Sequence, residues 1–264
     1  MSIEEGFGEE IVHIIPLGFE IDRAIKTFER YKTNKVYLLC VTESQNYSKT
    51  MLQRQRHYLD IVTGKLKDLG IEVHSKNVDT FDLLEVIGAI AKIVRAERQK
   101  KNQVFVNMSA AGRLTSLGAA LAGMHQGARV YYVVADDYSK TEGEIENHGI
   151  SICRNLKVQF IENLKLLLPD ERAQRVLAML LRKDRGMKTT EIIESLRRGG
   201  IKGFDEEYER LLRPQKINYL MKLNKGILEK LEAEGYITRE RVGKYNTIKI
   251  TESGRYVAHI SGLI

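Results

Sequence analysis

The sequence has only two cysteines, and they lie far apart in the chain. Cys40 and Cys153 have no ligand-like spacing, so neither a disulfide framework nor a structural zinc site is supported. The six histidines are also scattered, without the spacing typical of metal ligands. We therefore expect no metal, and a reducing, cytoplasmic environment.

Long apolar runs and an export signal are lacking as well. The longest apolar runs, such as Val130–Ala135, are far too short to cross a bilayer. The first ten residues are acidic, without the basic segment and apolar stretch of a signal peptide. No membrane partner is expected.

Two common nucleotide-binding signatures are absent. The sequence contains no Walker A motif, and no Gly-x-Gly-x-x-Gly follows its first predicted strand. Ordinary binding of a nucleoside triphosphate or a dinucleotide is therefore disfavoured.

The net charge of +7 is concentrated in one part of the chain. The stretch Arg210–Lys249 holds ten Lys or Arg residues and four Asp or Glu residues. A localised basic excess is typical of contacts with nucleic-acid phosphates. The alternative is a solvated surface rich in lysine and glutamate.

The first half alternates short β-rich runs with helical patterns. Strands are predicted at Ile11–Ile15, Val36–Val41, Ile71–His74, Val104–Asn107 and Val130–Ala135, with helices at Glu20–Arg30, Asn46–Leu69, Asp79–Arg98 and Arg113–Gln126. Such alternation predicts right-handed crossovers and a parallel sheet covered on both faces. The expected fold is α/β and Rossmann-like.

The connector 136–168 is harder to interpret. Ile150–Ile152 and Lys157–Ile161 fit strands, but the second could also begin a helix through Leu168. Pro169 resembles a helix start. We therefore predict two domains, 1–168 and 169–264.

After Pro169 the pattern changes to helices and one hairpin. Helices are predicted at Glu171–Lys183, at Thr190–Arg198 with Thr189 as its N-cap, and at Pro214–Glu234 with an interruption near Asn224. Tyr236–Arg241 and Thr247–Ile250 fit a hairpin, and Thr251–Ile260 a closing helix. Three helices followed by a hairpin is the order of a winged helix-turn-helix domain.

This C-terminal segment closely resembles the end of winged-helix regulators. The resemblance rests on Leu231–Ile237 as the exit from a recognition helix, on a basic wing, and on Thr251-Glu252-Ser253-Gly254. Double-stranded DNA is the expected partner, bound by Lys216, Asn218, Lys222, Asn224, Lys225, Lys230, Arg239, Arg241 and Lys244. A winged helix used only for protein contact is the alternative.

The segment Val104–Arg113 is a strand end that runs into a helix start. Backbone N–H groups and the helix dipole favour an anion there, small residues let a ligand approach, and Arg113 can add a charge-assisted contact. A tight packing turn between strand and helix is the alternative.

The same segment resembles the second motif of CARF domains, the CRISPR-associated Rossmann-fold sensors. Asn107, Ser109 and Arg113 match its Asn, Ser/Thr and basic positions, whereas Ala110 and Ala111 replace two glycines and Gly112 replaces a threonine. Pro16–Arg23 corresponds to the first motif. The resemblance implies a homodimer that binds a cyclic oligoadenylate, often cyclic tetra-adenylate, with the expected contacts Gly18, Phe19, Glu20, Asn107, Ser109, Ala110, Ala111, Gly112 and Arg113.

Some CARF sensors carry a C-terminal winged helix, so the resemblance covers the whole chain and implies a ligand-responsive transcriptional regulator. Some CARF proteins slowly cleave their ligand, and Ser109 and Arg113 are the residues to suspect of that role. No nucleophile–base pair is visible, so no catalytic residue is assigned and a ring nuclease is the second hypothesis. A DNA-binding dimer whose first domain serves only assembly is the third.

Overall fold

The computed structural model describes residues 9–164, 167–183, 185–242 and 245–264. The chain divides into two compact units, Met1–Lys165 and Leu166–Ile264. Each unit has its own hydrophobic core, centred on residues such as Leu38 and Val62 in the first and Leu177 and Ile192 in the second.

The first unit contains a six-stranded sheet. Its strands are β1 (Ile11–Pro16), β2 (Lys35–Cys40), β3 (Glu72–Asn77), β4 (Gln103–Asn107), β5 (Arg129–Val133) and β8 (Val158–Ile161). Their order in the sheet is β3-β2-β1-β4-β5-β8. The first five are parallel, as the alternating pattern predicts. The Rossmann-like α/β fold is therefore confirmed.

The sixth strand departs from a purely parallel sheet, because β8 pairs with β5 antiparallel, with Val133 opposite Val158. The chain between them forms β6 (Asp137–Tyr138), α5 (Glu142–His148) and β7 (Ser151–Ile152). This segment is held near the carboxyl end of β1, where the Ile150 N–H donates to the Phe19 carbonyl at 2.9 Å. The chain therefore enters β8 from the carboxyl end of the sheet.

The helices of the first unit are α1 (Asp22–Ile25), α2 (Lys49–Asp68), α3 (Leu83–Gln99) and α4 (Arg113–His125). Ser48 caps α2 and Asp82 caps α3 through side-chain oxygens. The single helix expected over Glu20–Arg30 was wrong. It is a four-residue helix that continues as the 3₁₀ turn Lys26–Glu29, because Glu20 and the start of α1 are bound to the segment around β7.

The second unit has the winged-helix order. Its elements are α6 (Glu171–Lys183), β9 (Met187–Lys188), α7 (Thr189–Arg198), a 3₁₀ turn (Tyr208–Arg210), α8 (Arg213–Leu223), a π-helical turn (Asn224–Leu228), α9 (Glu229–Ala233), β10 (Ile237–Val242), β11 (Tyr245–Ile250) and α10 (Glu252–Ile260). The hairpin strands and β9 form a sheet in the order β10-β11-β9. The predicted winged helix is confirmed.

Three local details differ from or refine the sequence prediction. The interruption near Asn224 is a π-helical turn within an otherwise continuous helix. Thr189 is the first residue of α7, and Lys188 takes the N-cap position, because β9 pairs with β11 up to Lys188. The strand β9 has only two residues, too few for a detectable hydrophobic period.

Candidate ligand and DNA-binding sites

The turns after β1 and β4 meet where the strand order reverses. Strands β1 and β4 are neighbours, but β2 continues the sheet on one side and β5 on the other. Such a switch point leaves a crevice at the carboxyl ends of the strands, where open α/β sheets bind ligands. Here the Gly18 N–H donates to the Ala110 carbonyl at 2.8 Å. A Cβ at Gly18 would lie 3.4 Å from the Ala111 Cα, so the two turns are in close contact.

Asn107 and Ser109 lie inside the protein, with 0% and 1% exposure. The Asn107 Oδ1 accepts from the Ser109 N–H at 2.8 Å and from its hydroxyl at 2.6 Å, and Asn107 Nδ2 donates to the Arg23 carbonyl at 2.8 Å. The Ser109 hydroxyl oxygen also accepts from the Val133 N–H at 3.1 Å. These two side chains therefore fix the shape of the turn by joining it to α1 and β5.

The other residues of the turn after β4 lie either in the hydrophobic core or at the crevice. Ala110 is fully buried and belongs to the first unit's core, so its methyl group is part of the packing. Ala111 is half-buried, and Gly112 and Arg113 are exposed. Gly112 is the N-cap of α4 and provides no side-chain hydrogen bond to the helix. The first N–H groups of α4 therefore lack a side-chain acceptor there.

Arg113 is available to a ligand. Its side chain is exposed, and it has no hydrogen-bond or ion-pair partner within the part of the chain that the structure describes. A free guanidinium at a helix N-terminus adds a full positive charge to the partial charge of the helix dipole. The combination favours an anion.

Glu20 has a structural partner. Its carboxylate accepts from the Ser151 N–H at 3.0 Å and from the Ser151 hydroxyl at 2.7 Å. Burial raises the pKa of Glu20. The two hydrogen bonds from Ser151, and the positive charge of the nearby Arg23, lower this pKa and only partly oppose the effect of burial. Glu20 thus joins the turn after β1 to β7, although it also borders the crevice.

Gly149 allows this segment to approach the turn after β1. Its φ of +79° lies in the left-handed region that favours glycine. A Cβ there would lie 2.6 Å from the Ile21 nitrogen and 2.7 Å from the Phe19 carbonyl oxygen. No side chain fits at this position without displacing backbone.

The cleft at the switch point encloses about 600 Å³, part of it open to solvent. It is lined by Gly18, Phe19, Glu20, Gln55, Thr80, Phe81, Ala111, Gly112, Thr115 and Ile150. Phe81 is 54% exposed, and the Arg54 guanidinium lies 4.5 Å from the centre of the Phe19 ring. Sequence reasoning missed Phe81, although it follows β3, which ends at the same edge of the sheet. It missed Ile150 because the period of that segment was ambiguous.

The described residues contain neither a metal-binding cluster nor a membrane-spanning helix. No group of three or more His, Cys, Asp or Glu residues there could hold a metal ion. None of the helices there combines the length and apolarity needed to cross a bilayer. Both cysteines are free and buried.

The predicted DNA-binding residues fall into two groups. Asn218, Lys222, Lys225, Lys230 and Arg241 are exposed. Three others make contacts within the second unit, where Lys216 Nζ donates to the Glu209 carbonyl at 3.0 Å and Arg239 bonds both Asn224 and Glu232. Lys244 lies outside the described residues.

The exposed face of α8 also contains apolar side chains that sequence reasoning missed. Ile217 is 50% exposed and Met221 is 49% exposed, one turn apart. They lie beside Asn218 and Lys222, opposite the buried Tyr219 and Leu223. The face therefore combines basic, amide and apolar groups, the set that proteins use on the major groove.

The Thr-x-x-Gly motif joins the turn after α9 to the final helix, α10. The Thr251 hydroxyl donates to the Gly235 carbonyl at 2.7 Å and accepts from the Gly254 N–H at 3.1 Å as the cap of α10. A Cβ on Gly254 would collide with the Tyr236 carbonyl oxygen. The segment before β10 and the segment after β11, which both resemble winged-helix regulators, are therefore hydrogen-bonded to each other.

Comparison with protein families gives one match in each unit. Residues 11–138 match the family model described as "HFX_2341_N:-like, N-terminal". Residues 172–262 match the "DUF6293 C-terminal winged helix domain". An uncharacterised protein of Methanocaldococcus jannaschii is 25% identical over 175 residues, which cover 61% of this chain. The match spans about half, 51%, of that relative's length.

Similar solved structures include Enterococcus italicus Csm6 bound to cyclic hexa-2′-fluoro-hexa-dAMP. It has 11% identity and a TM-score of 0.42, over 86% of this chain and 56% of Csm6. Can2 from Sulfobacillus thermosulfidooxidans, in complex with cyclic tetra-adenylate, has 14% identity and a TM-score of 0.37, over 94% of this chain and 61% of Can2. Both are CARF-domain proteins, the family that the sequence resembles. These superpositions are too loose to assign a ligand to this chain.

Proposed function

We propose that this protein is a ligand-responsive DNA-binding regulator that acts as a cytoplasmic homodimer. Its first unit binds a cyclic oligoadenylate, with cyclic tetra-adenylate as the first candidate, and its winged helix binds double-stranded DNA. The observation that carries the proposal is the N-terminus of α4, where Gly112 lines the switch-point cleft without providing a side-chain cap, and the exposed Arg113 is the first residue of the helix.

The chemistry of the cleft suits a nucleotide with both phosphates and bases. Backbone N–H groups of α4 and the Arg113 guanidinium are donors for phosphate oxygens. The exposed ring of Phe81 offers a face on which a base can stack. Of the two alanines that replace glycines of the CARF motif, only Ala111 lines the cleft. The two alanines therefore add one methyl group to the lining of the cleft, whereas Gly112, which replaces a threonine of the motif, removes a side chain from it.

Exposed apolar residues beside the cleft support a dimer of the first unit. Leu114 is 48% exposed and Leu117 is 50% exposed, and they share one face of α4. A second copy packed on this face would bring two clefts together around a two-fold axis, as a two-fold cyclic ligand requires. Light scattering at micromolar concentration should give a dimer, which Leu117→Lys should weaken by burying a charge. A wild-type monomer would contradict the symmetric site.

Calorimetric titration with cyclic tetra-adenylate tests the ligand proposal. Wild type should bind one ligand per two chains, and Arg113→Ala should lose at least tenfold in affinity, a loss of about 1.4 kcal/mol. Lys67→Ala, on the exposed last turn of α2, is the matched loss of charge and should leave the affinity unchanged. Absence of heat with any cyclic oligoadenylate would contradict the proposal.

Chromatography of the same samples separates a sensor from a ring nuclease. Intact cyclic ligand after incubation supports the sensor, whereas linear oligoadenylate favours the ring nuclease. The buried, fully engaged hydroxyl of Ser109 weighs against its role in cleavage.

A further inference from the structure

A second cleft, distinct from the one at the switch point, lies against the sheet of the first unit. Its volume is about 470 Å³, part of it open to solvent, and its residues are Ile11, His13, Thr27, Tyr31, Lys32, Phe105, Tyr131, Val158 and Phe160. None of these lines the switch-point cleft. Strands β1, β4, β5 and β8 form one side, and the segment after α1 forms another.

The cleft exists because this part of the sheet has little helical cover. In a doubly wound fold, helices pack on both faces of the sheet. The segment between β5 and β8 contains only α5, a seven-residue helix without buried residues. As a result, Phe160 on the edge strand is 41% exposed and Tyr31 is 49% exposed.

The inner part of the cleft is aromatic and uncharged. The His13 ring stacks on Phe105, with ring centres 4.9 Å apart and planes 10° apart. Its Nδ1 shares a hydrogen bond of 2.9 Å with the Tyr131 hydroxyl. Burial lowers the pKa of His13 to about 3, so the imidazole is neutral at physiological pH. This interior suits a flat, uncharged ring system.

Two positive charges accompany this interior: Lys32 belongs to the lining, and Arg129 lies against two of the rings that line the cleft. Both side chains are exposed, and neither has an ion-pair partner within the part of the chain that the structure describes. The Arg129 guanidinium lies 4.7 Å from the centre of the Phe160 ring and 5.4 Å from that of Phe105. Two unpaired cations beside an aromatic interior suit a ligand with a ring at one end and an anionic group at the other.

We propose that this second cleft binds a small aromatic carboxylic acid, with its ring among the aromatic residues that line the cleft and its carboxylate toward Lys32 and Arg129. The site is independent of the oligoadenylate proposal, because it shares no lining residue with the switch-point cleft.

Fluorine NMR of 4-fluorobenzoate with the full chain tests the proposal, since it detects weak binding directly. We expect 4-fluorobenzoate to bind, and its neutral twin 4-fluorobenzamide to bind at least about threefold more weakly. Cyclohexanecarboxylate, which has the charge without the aromatic ring, should displace the probe poorly. No binding of 4-fluorobenzoate at millimolar concentration would overturn the proposal, and so would equal binding of the benzamide.

Two exposed positions allow variants that leave the fold intact. Arg129→Gln should weaken 4-fluorobenzoate about 3- to 10-fold and leave the benzamide unchanged. Phe160→Leu should weaken both probes, whereas Phe81→Leu removes a comparably exposed ring from the other cleft and should weaken neither. A Phe81→Leu effect as large as that of Phe160→Leu would place the probe elsewhere and overturn the assignment.

Discussion

Gly149→Ala should open the segment around β7 without unfolding the first unit. The left-handed φ of +79° costs an alanine about 1–2 kcal/mol. Its Cβ would also displace the backbone of Phe19 and Ile21, which typically adds about 1–3 kcal/mol. Together these two effects should lower the free energy of opening the segment around β7 by about 2–5 kcal/mol.

The two buried cysteines allow this local opening to be measured in the full chain. Cys153 follows β7 and its N–H donates to the Asp22 carboxylate at 2.8 Å, whereas Cys40 ends β2 in the core. Thiol labelling of Cys153 under native conditions should accelerate about 30-fold to several thousand-fold in Gly149→Ala, at tenfold per 1.4 kcal/mol. Labelling of Cys40 should change much less.

Gly64→Ala is the control, because Gly64 lies on α2 and no atom lies within 4 Å of the position that an added Cβ would take. This variant should raise the free energy of unfolding by about 0.5–1 kcal/mol. Equal acceleration at Cys40 and Cys153 in Gly149→Ala would show global unfolding and refute the local argument. An unchanged Cys153 rate would refute the steric argument itself.

Three further outcomes are expected. Lys222→Ala should weaken DNA binding and reduce the slope of log binding constant against log salt concentration by about one unit. Lys216→Ala should have a smaller effect, because the Lys216 ammonium group already donates to the Glu209 carbonyl. Anisotropy titrations at several salt concentrations measure both variants. Burial raises the pKa of Glu20, so this carboxyl takes up a proton more readily in the native state than in the unfolded chain. It therefore adds to the free energy of unfolding as pH falls through the raised pKa. Glu20→Gln should remove this pH-dependent contribution, which urea titrations at several pH values measure. With a pKa of about 3, the ring protons of His13 should not titrate between pH 8 and pH 5 by NMR, and a normal midpoint near 6.5 would show that the imidazole is solvated.

The fold was predictable from the sequence in those strands and helices where apolar residues recur at the regular spacing of a buried face. The buried runs of β1 and β2 and the long stripes of α2 and α3 determine the doubly wound sheet, and local periodicity detects them. The direction of β8 was not predictable, because it depends on where the segment before it is anchored. That anchor includes the bond from Ile150 to Phe19, which are distant in sequence.

The location of the candidate ligand site was predictable from the sequence, but the directions of its side chains were not. The sequence places Asn107–Arg113 at a strand–helix turn, where it lies. It does not show that Asn107 and Ser109 point inward, because their partners Arg23 and Val133 come from other elements. Their direct contact with ligand stays a prediction, and the structure favours a shaping role.

In the proposed function, ligand bound to the first unit controls DNA binding by the second. The most direct measurement is the affinity for a duplex selected by the wild-type protein from a random pool, with and without saturating cyclic tetra-adenylate. Allosteric coupling of about 1–3 kcal/mol predicts a shift of about 5- to 150-fold in wild type and none in Arg113→Ala. An unchanged affinity for the duplex in wild type, at a ligand concentration where calorimetry shows that the site is full, would show that the ligand does not control DNA binding.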